Sequence, residues 1–195
     1  MPSHIVDQIM ALPNHAWTKG SSGAYRKCSA IHFGLPSQRF PNMRFRGSTH
    51  HKDLEAEIVS LFATTGTAFT NIIINKYVPG CSMDRHNDHD LPDFPMQVAC
   101  IVGEFTGGSL HFFTPQGTQS VYGVGNYMIN GNIDHEVSVV ESGVRYSIIS
   151  YCKNLTTKTN PDRVAELRSL GYPIPDLEDT LQNLNKSRKS NQHQY

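Results

Sequence analysis

The chain lacks most of the features that sort small proteins quickly. Its four cysteines (Cys28, Cys81, Cys100, Cys152) are widely spaced and form no C-x-x-C pair. That argues against a zinc ribbon and a disulfide scaffold, and for a reducing compartment. No run of about 18 apolar residues occurs, so nothing reads as a membrane-spanning helix. The opening "MPSHIVDQIMALPNH" has neither the basic start nor the apolar centre of a secretory signal. No internal repeat is visible. Net charge is missing as well, with 17 Lys/Arg against 17 Asp/Glu, so the chain as a whole announces no nucleic-acid partner. A soluble, intracellular monomer is the expectation.

The balance of charge conceals an asymmetry. Residues 1–50 carry six basic side chains (Lys19, Arg26, Lys27, Arg39, Arg44, Arg46) against the one acid Asp7, whereas residues 51–150 carry four against eleven. A basic leading segment beside an acidic middle suits an anionic ligand along one edge, and equally a dipolar surface.

At 195 residues the chain suits one domain with a sizeable core. The expected domain covers 1–175: a helix/strand segment 1–68, a β core 69–154 and a closing helix 161–170, with a polar tail over 176–195. "IVDQIMAL" has apolar residues at helical spacing and ends before Pro13. "AIHFGLP" reads as a strand and turn, and "QRFPNMRFRGSTH" as a loop. "HKDLEAEIVSLFATTG" sets Leu54, Ile58, Leu61 and Phe62 on one helical face, closed by Gly66. From Phe69 the texture changes. "FTNIIINKYV", "MQVACIVGEF", "GSLHFFTP", "TQSVYGV", "NYMIN", "HEVSVVES" and "RYSIISYCKN" are short, β-branched or aromatic, and separated by turn residues. The fold class expected is mainly β with flanking helices, an antiparallel double-sheet barrel or sandwich.

Within it, "SMDRHNDHDLPD" packs two histidines and four aspartates into twelve residues. It is either a solvated acidic turn or a metal site. On a strand His86 and Asp88 share a face, so imidazole and carboxylate converge. A later strand opens with His135. Two histidines and one carboxylate form the facial triad of non-haem iron oxygenases, which leaves coordination positions open. Arg145 follows, sharing a strand face with Ser147. If their strand lies beside that of His135, both point inward. A buried guanidinium needs an anion, and with a hydroxyl beside it suits the far carboxylate of a dicarboxylate. Upstream, Asn75 and Tyr77 lie on one strand face and offer an amide and a phenol to the same cavity.

The set N-x-Y-x-x-G, H-x-D, His, R-x-S resembles the Fe(II)/2-oxoglutarate-dependent dioxygenases, over about Phe69 to Asn154. The resemblance implies a double-stranded β-helix, or jelly roll. It implies Fe(II) on His86, Asp88 and His135, with O2 as oxidant. It also implies 2-oxoglutarate on Arg145 and Ser147, with Asn75 and Tyr77 beside it. The AlkB branch shares the N-x-Y-x-x-G-x5-H-x-D spacing but carries a second arginine where Tyr151 stands here. The TET/JBP branch, which oxidises 5-methylcytosine or thymine in DNA, is more similar: it runs from R-x-S into an aromatic residue and then "KN", as "RYSIISYCKN" does, and "GEFTGGSLHF" is similar to its glycine-rich strand pair. The cysteine-rich zinc segment of animal members is absent, and Leu91 stands where they place an Asn. This branch implies DNA as partner, with the target base flipped out. Candidate base contacts are then His89, Asp90 and His111, and candidate phosphate contacts Arg44 and Arg46. An AlkB-like demethylase or a protein or small-molecule hydroxylase would share the same catalytic residues, His86, Asp88, His135 and Arg145.

Overall fold

In the computed structural model, residues 1–19, 28–36, 43–88, 96–153, 155–156 and 159–176 are described. Among them, three α-helices precede the strand that begins at Asn71: α1 (Ser3–Met10), the short α2 (Arg46–His50) and α3 (Lys52–Ala63). The strands are β1 (Thr18–Lys19), β2 (Ser29–Gly34), β3 (Asn71–Tyr77), β4 (Met83–His86), β5 (Met96–Val102), β6 (Phe105–Gly107), β7 (Leu110–Thr114), β8 (Gly117–Val121), β9 (Gly125–Asn130), β10 (His135–Val137), β11 (Val140–Gly143) and β12 (Arg145–Tyr151). Helix α4 (Pro161–Ser169) follows, capped by the Asn160 side chain.

The strands form a six-stranded sheet in the order β1-β2-β3-β12-β5-β9 and a four-stranded sheet in the order β4-β10-β7-β8, with β11 and β6 as a separate ribbon. All strand pairings among the described residues are antiparallel. This is the expected jelly roll. Strand alternation gives the larger sheet two faces with different tasks. Ile31, Phe33, Ile72, Ile74, Cys100, Tyr146 and Ile148 point outward and bury Ile5 and Ile9 of α1, Leu54, Ile58 and Phe62 of α3, and Leu167 of α4. Tyr77, Ala99 and Ile129 point inward against Met83, Leu110, Phe112 and Val137 of the smaller sheet.

Several elements differ from expectation, each for a physical reason. The stretch 46–50 is helical rather than loop. No side chain caps it; it is held by packing, with Gly47 so close to the His32 carbonyl and the Phe33 ring that a Cβ would lie 2.5 and 2.8 Å from them. "MQVACIVGEF" is broken between β5 and β6 at Gly103, whose φ of +113° no side chain adopts without strain. "HEVSVVES" divides into β10 and β11, and the exposed Val139 marks the change of partner strand. The tail beyond 176 lies outside the described residues.

Candidate metal and dicarboxylate site

His86 ends β4 and His135 opens β10, and the pairing places them opposite one another. Their ring centroids are 4.4 Å apart. Asp88 lies two residues beyond His86, past the end of the strand; its backbone N–H bonds the Gly131 carbonyl at 2.8 Å, and that bond, not strand alternation, brings the carboxylate back. Ligand atoms of His86, Asp88 and His135 all lie within 4.8 Å of one another, the one such group of His, Cys, Asp and Glu among the described residues.

The surroundings fix how these groups present themselves. His86 Nδ1 lies 2.8 Å from the Asp84 carbonyl and His135 Nδ1 2.8 Å from the Ile133 carbonyl. A carbonyl only accepts, so each Nδ1 carries the proton and each Nε2 is left as a lone-pair donor, the usual arrangement of metal-binding histidines. Burial pushes the His135 pKa down and His86 adds to this, while the Ile133 carbonyl, Asp88 and Asp134 work the other way; the ring is thereby biased toward the neutral form that metals need. The buried Gln97 amide donates to Asp88 Oδ2 at 2.9 Å and aims the carboxylate. Gly131 makes room for that contact: a Cβ there would fall 2.3 Å from Gln97 Nε2 and 2.9 Å from Asp88 Oδ2. Behind the histidines, Asp134 accepts from Arg85 Nε at 3.1 Å and from Asn87 Nδ2 at 2.8 Å, tying the β4 end to the start of β10.

Arg145 lies on β12, which belongs to the larger sheet, whereas His135 lies on the smaller one. The two strands are therefore not neighbours, contrary to the simplest reading of the sequence. Both residues point inward because the sheets face each other. Arg145 is 1% exposed, and its Nε and Nη1 have no hydrogen-bond partner. The guanidinium lies over the Tyr77 ring, 5.0 Å from its centroid, with Phe105 at 5.9 Å. Burial lowers its pKa, opposed by Tyr77. Gly108 clears its stem, since a Cβ there would lie 2.9 Å from Arg145 Cδ. Register pairs Arg145 with Tyr77 and Ser147 with Asn75, so the four form a block on the inner face. Asn75 Oδ1 is buried and also without a partner.

The other candidates are not gathered here. His111 sits on the opposite face of β7 from Leu110 and Phe112, pairs in register with Glu136, and bonds Ser120 Oγ at 2.7 Å. Arg46 is exposed on α2. Arg44 is engaged with Glu166 at 2.6 Å. His89 and Asp90 lie outside the described residues. Sequence reasoning missed Gln97 and Gly131. A lone glutamine inside the apolar run "MQVACIV" was the available signal.

No protein-family model matches this sequence, and no curated protein does. Solved structures do. An oxidoreductase of the 2OG-Fe(II) oxygenase family from Burkholderia pseudomallei superposes with a TM-score of 0.56 at 17% identity, over 76% of either chain. A prolyl-4-hydroxylase from Pseudomonas putida gives 0.56 at 14% identity, over 78% of this chain and 88% of that one. The chain has the fold of these oxygenases.

No helix among the described residues is long and apolar enough to cross a membrane.

Proposed function

We propose that the chain is an Fe(II)- and 2-oxoglutarate-dependent oxygenase. The observation that carries this is Arg145: a fully buried cation with two unpartnered nitrogens on the inner face of the larger sheet, against which packs the smaller sheet that carries the two lone-pair imidazoles. A buried charge without an anion is costly, so a dicarboxylate fits where a structural role does not. When bound, Fe(II) with 2-oxoglutarate and O2 supplies oxidative decarboxylation to succinate and CO2 coupled to hydroxylation of a C–H bond. His86, Asp88 and His135 would hold the metal on one side and leave the other open. Gln97 keeps Asp88 turned toward it. Arg145 and Ser147 would take the distal carboxylate, and the unpartnered Asn75 oxygen lies on the same inner face, paired in register with Ser147. Buried Ala99, Leu110, Phe112, Ile129 and Val137 surround these polar groups, so each polar contact counts for more than it would in solution.

For substrate we propose the 5-methyl group of 5-methylcytosine, or of thymine, in DNA, with the base flipped into the chamber. The reading is supported by the similarity of "RYSIISYCKN" to the TET/JBP branch and by the basic excess of residues 1–50. A second reading, hydroxylation of a peptide or small molecule, is favoured by one observation: Arg44, a candidate phosphate contact, is already paired with Glu166. Mass spectrometry of nucleosides decides between them. After incubation of 5-methylcytosine-containing DNA with protein, Fe(II), 2-oxoglutarate and ascorbate, 5-hydroxymethylcytosine is expected. Succinate without any altered nucleoside, from either methylated or ordinary DNA, would overturn the DNA substrate and leave the oxygenase standing.

A further inference from the structure

The inner face of the larger sheet has two ends. Arg145 and Tyr77 mark one. Strand alternation carries the inward side along β12 through Ser147 and Ile149 to Tyr151, six residues on, or about 20 Å at strand rise. The Ser150–Val98 pair puts Tyr151 beside Gln97, the residue that bonds Asp88. Tyr151 therefore stands next to the residue that orients Asp88. On the same face, register pairs Ile73 with His32 of β2.

A compact group closes this end. The Phe45 ring stacks on His32, with centroids 5.4 Å apart and planes at 26°. Lys153 Nζ lies 5.4 Å from the Phe45 centroid and 5.9 Å from that of Tyr151, and donates to the Leu35 carbonyl at 3.4 Å. Burial, with Lys153 adding to it, lowers the His32 pKa to about 4, so this imidazole is neutral near pH 7. Phe45 is well anchored. It immediately precedes α2, whose Ser48 Oγ accepts from the Gly34 N–H at 3.1 Å and donates to the fully buried Glu55 carboxylate at 2.9 Å.

The outward face of the larger sheet carries the helices of the core, whereas His32 and Tyr151 lie on its inward face. Aromatic walls at fixed positions suit a flat ring. A half-buried ammonium braced over two rings suits an acceptor oxygen on that ring. An aliphatic side chain would use neither. We infer that His32, Phe45, Tyr151 and Lys153 form the substrate wall, with Lys153 donating to a carbonyl oxygen of a pyrimidine ring. The inference rests on the oxygenase reading and names what that site accepts.

The test uses a fluorescein-labelled single-stranded oligonucleotide with one 5-methylcytosine, followed by anisotropy under anaerobic Fe(II) and 2-oxoglutarate. The visible charge-transfer band of the same samples is recorded. Lys153→Met keeps the stem and removes the ammonium; it should weaken oligonucleotide binding by roughly tenfold or more, the scale of a lost charge-assisted hydrogen bond. Lys153→Arg should recover part of it. Phe45→Leu, tested separately, should weaken binding with the ammonium intact. The band should be the same in all samples. Wild-type affinity in both Lys153→Met and Phe45→Leu, or a wild type that shows the band and ignores the oligonucleotide, overturns this wall while the oxygenase reading stands. A wild type without the band overturns the oxygenase reading and this inference with it.

Discussion

His86 and His135 face each other across the β4–β10 pair, each with Nδ1 tied to a backbone carbonyl two residues before it in sequence. The symmetry is chemically useful. Both rings are locked in the same tautomer, and both Nε2 atoms are left toward one point shared with Asp88.

Asp88 is the only anionic member of that group. Asp88→Ala should abolish Fe(II) binding in an anaerobic titration while circular dichroism stays that of the wild type. Gln97→Leu should weaken binding by about 10–100-fold, the usual effect of removing a residue that orients a ligand. Full Fe(II) affinity in Asp88→Ala would remove the triad as the metal site.

Gly131→Ala tests the same contact by adding one methyl group. The new Cβ would lie 2.3 Å from Gln97 Nε2, so the amide must leave Asp88. No positive φ is required at this position, so backbone strain is not involved. Metal affinity should fall by about the same factor as in Gln97→Leu. The double variant should be no worse than either single one; additive losses would show that the two act independently.

Arg145 makes a prediction of unusual sign. Two of its nitrogens are buried without partners, so the charge costs stability until an anion arrives. Arg145→Met should leave the melting temperature of the metal-free, co-substrate-free protein unchanged or raised. The further rise that 2-oxoglutarate gives to the wild type in the presence of a divalent metal should disappear. A melting temperature several degrees lower in the variant would assign Arg145 a structural role.

His32 sets part of the acid limit. Its folded pKa, about 4, is below the ordinary value of 6.5, so the unfolded chain binds the proton more readily. The stability involved is fully present above about pH 6.5 and is lost as the pH falls toward 4; a shift of this size corresponds to about 3 kcal/mol. In urea titrations from pH 7 to 4, His32→Gln should show a shallower loss of stability than the wild type. Parallel curves would mean that His32 titrates normally.

Arg145 with Ser147 and the Asn75–Tyr77 pair were legible because strand chemistry is periodic: residues two apart share a face whatever the partner strand is. His86 and Asp88 were grouped by the same rule, although Asp88 lies past the end of β4 and the Gly131 bond brings it back. The partner itself was not legible. Nothing in "HEVSVV" or "RYSII" says that these strands belong to opposing sheets. Helix α2 escaped because its cause is distant, in Gly47 fitting against β2. Gln97 was hidden inside an apolar strand, and its role appears only once Asp88 is known to lie over it. The wall of His32, Phe45, Tyr151 and Lys153 joins residues more than 100 positions apart in the chain, which no local pattern reveals.

The pairing of His86 with His135 has a consequence for how the protein is made. Side chains alternate across a strand, so a slip of one residue between β4 and β10 would turn one imidazole to the outside. Such a misaligned sheet could retain much of its hydrogen bonding, yet it would have no ion-binding group. Iron would then stabilise the correctly aligned chain alone, by an amount that grows with free metal. Supplied during synthesis, the ion would act as an inspector of strand alignment before it ever acts as a catalyst.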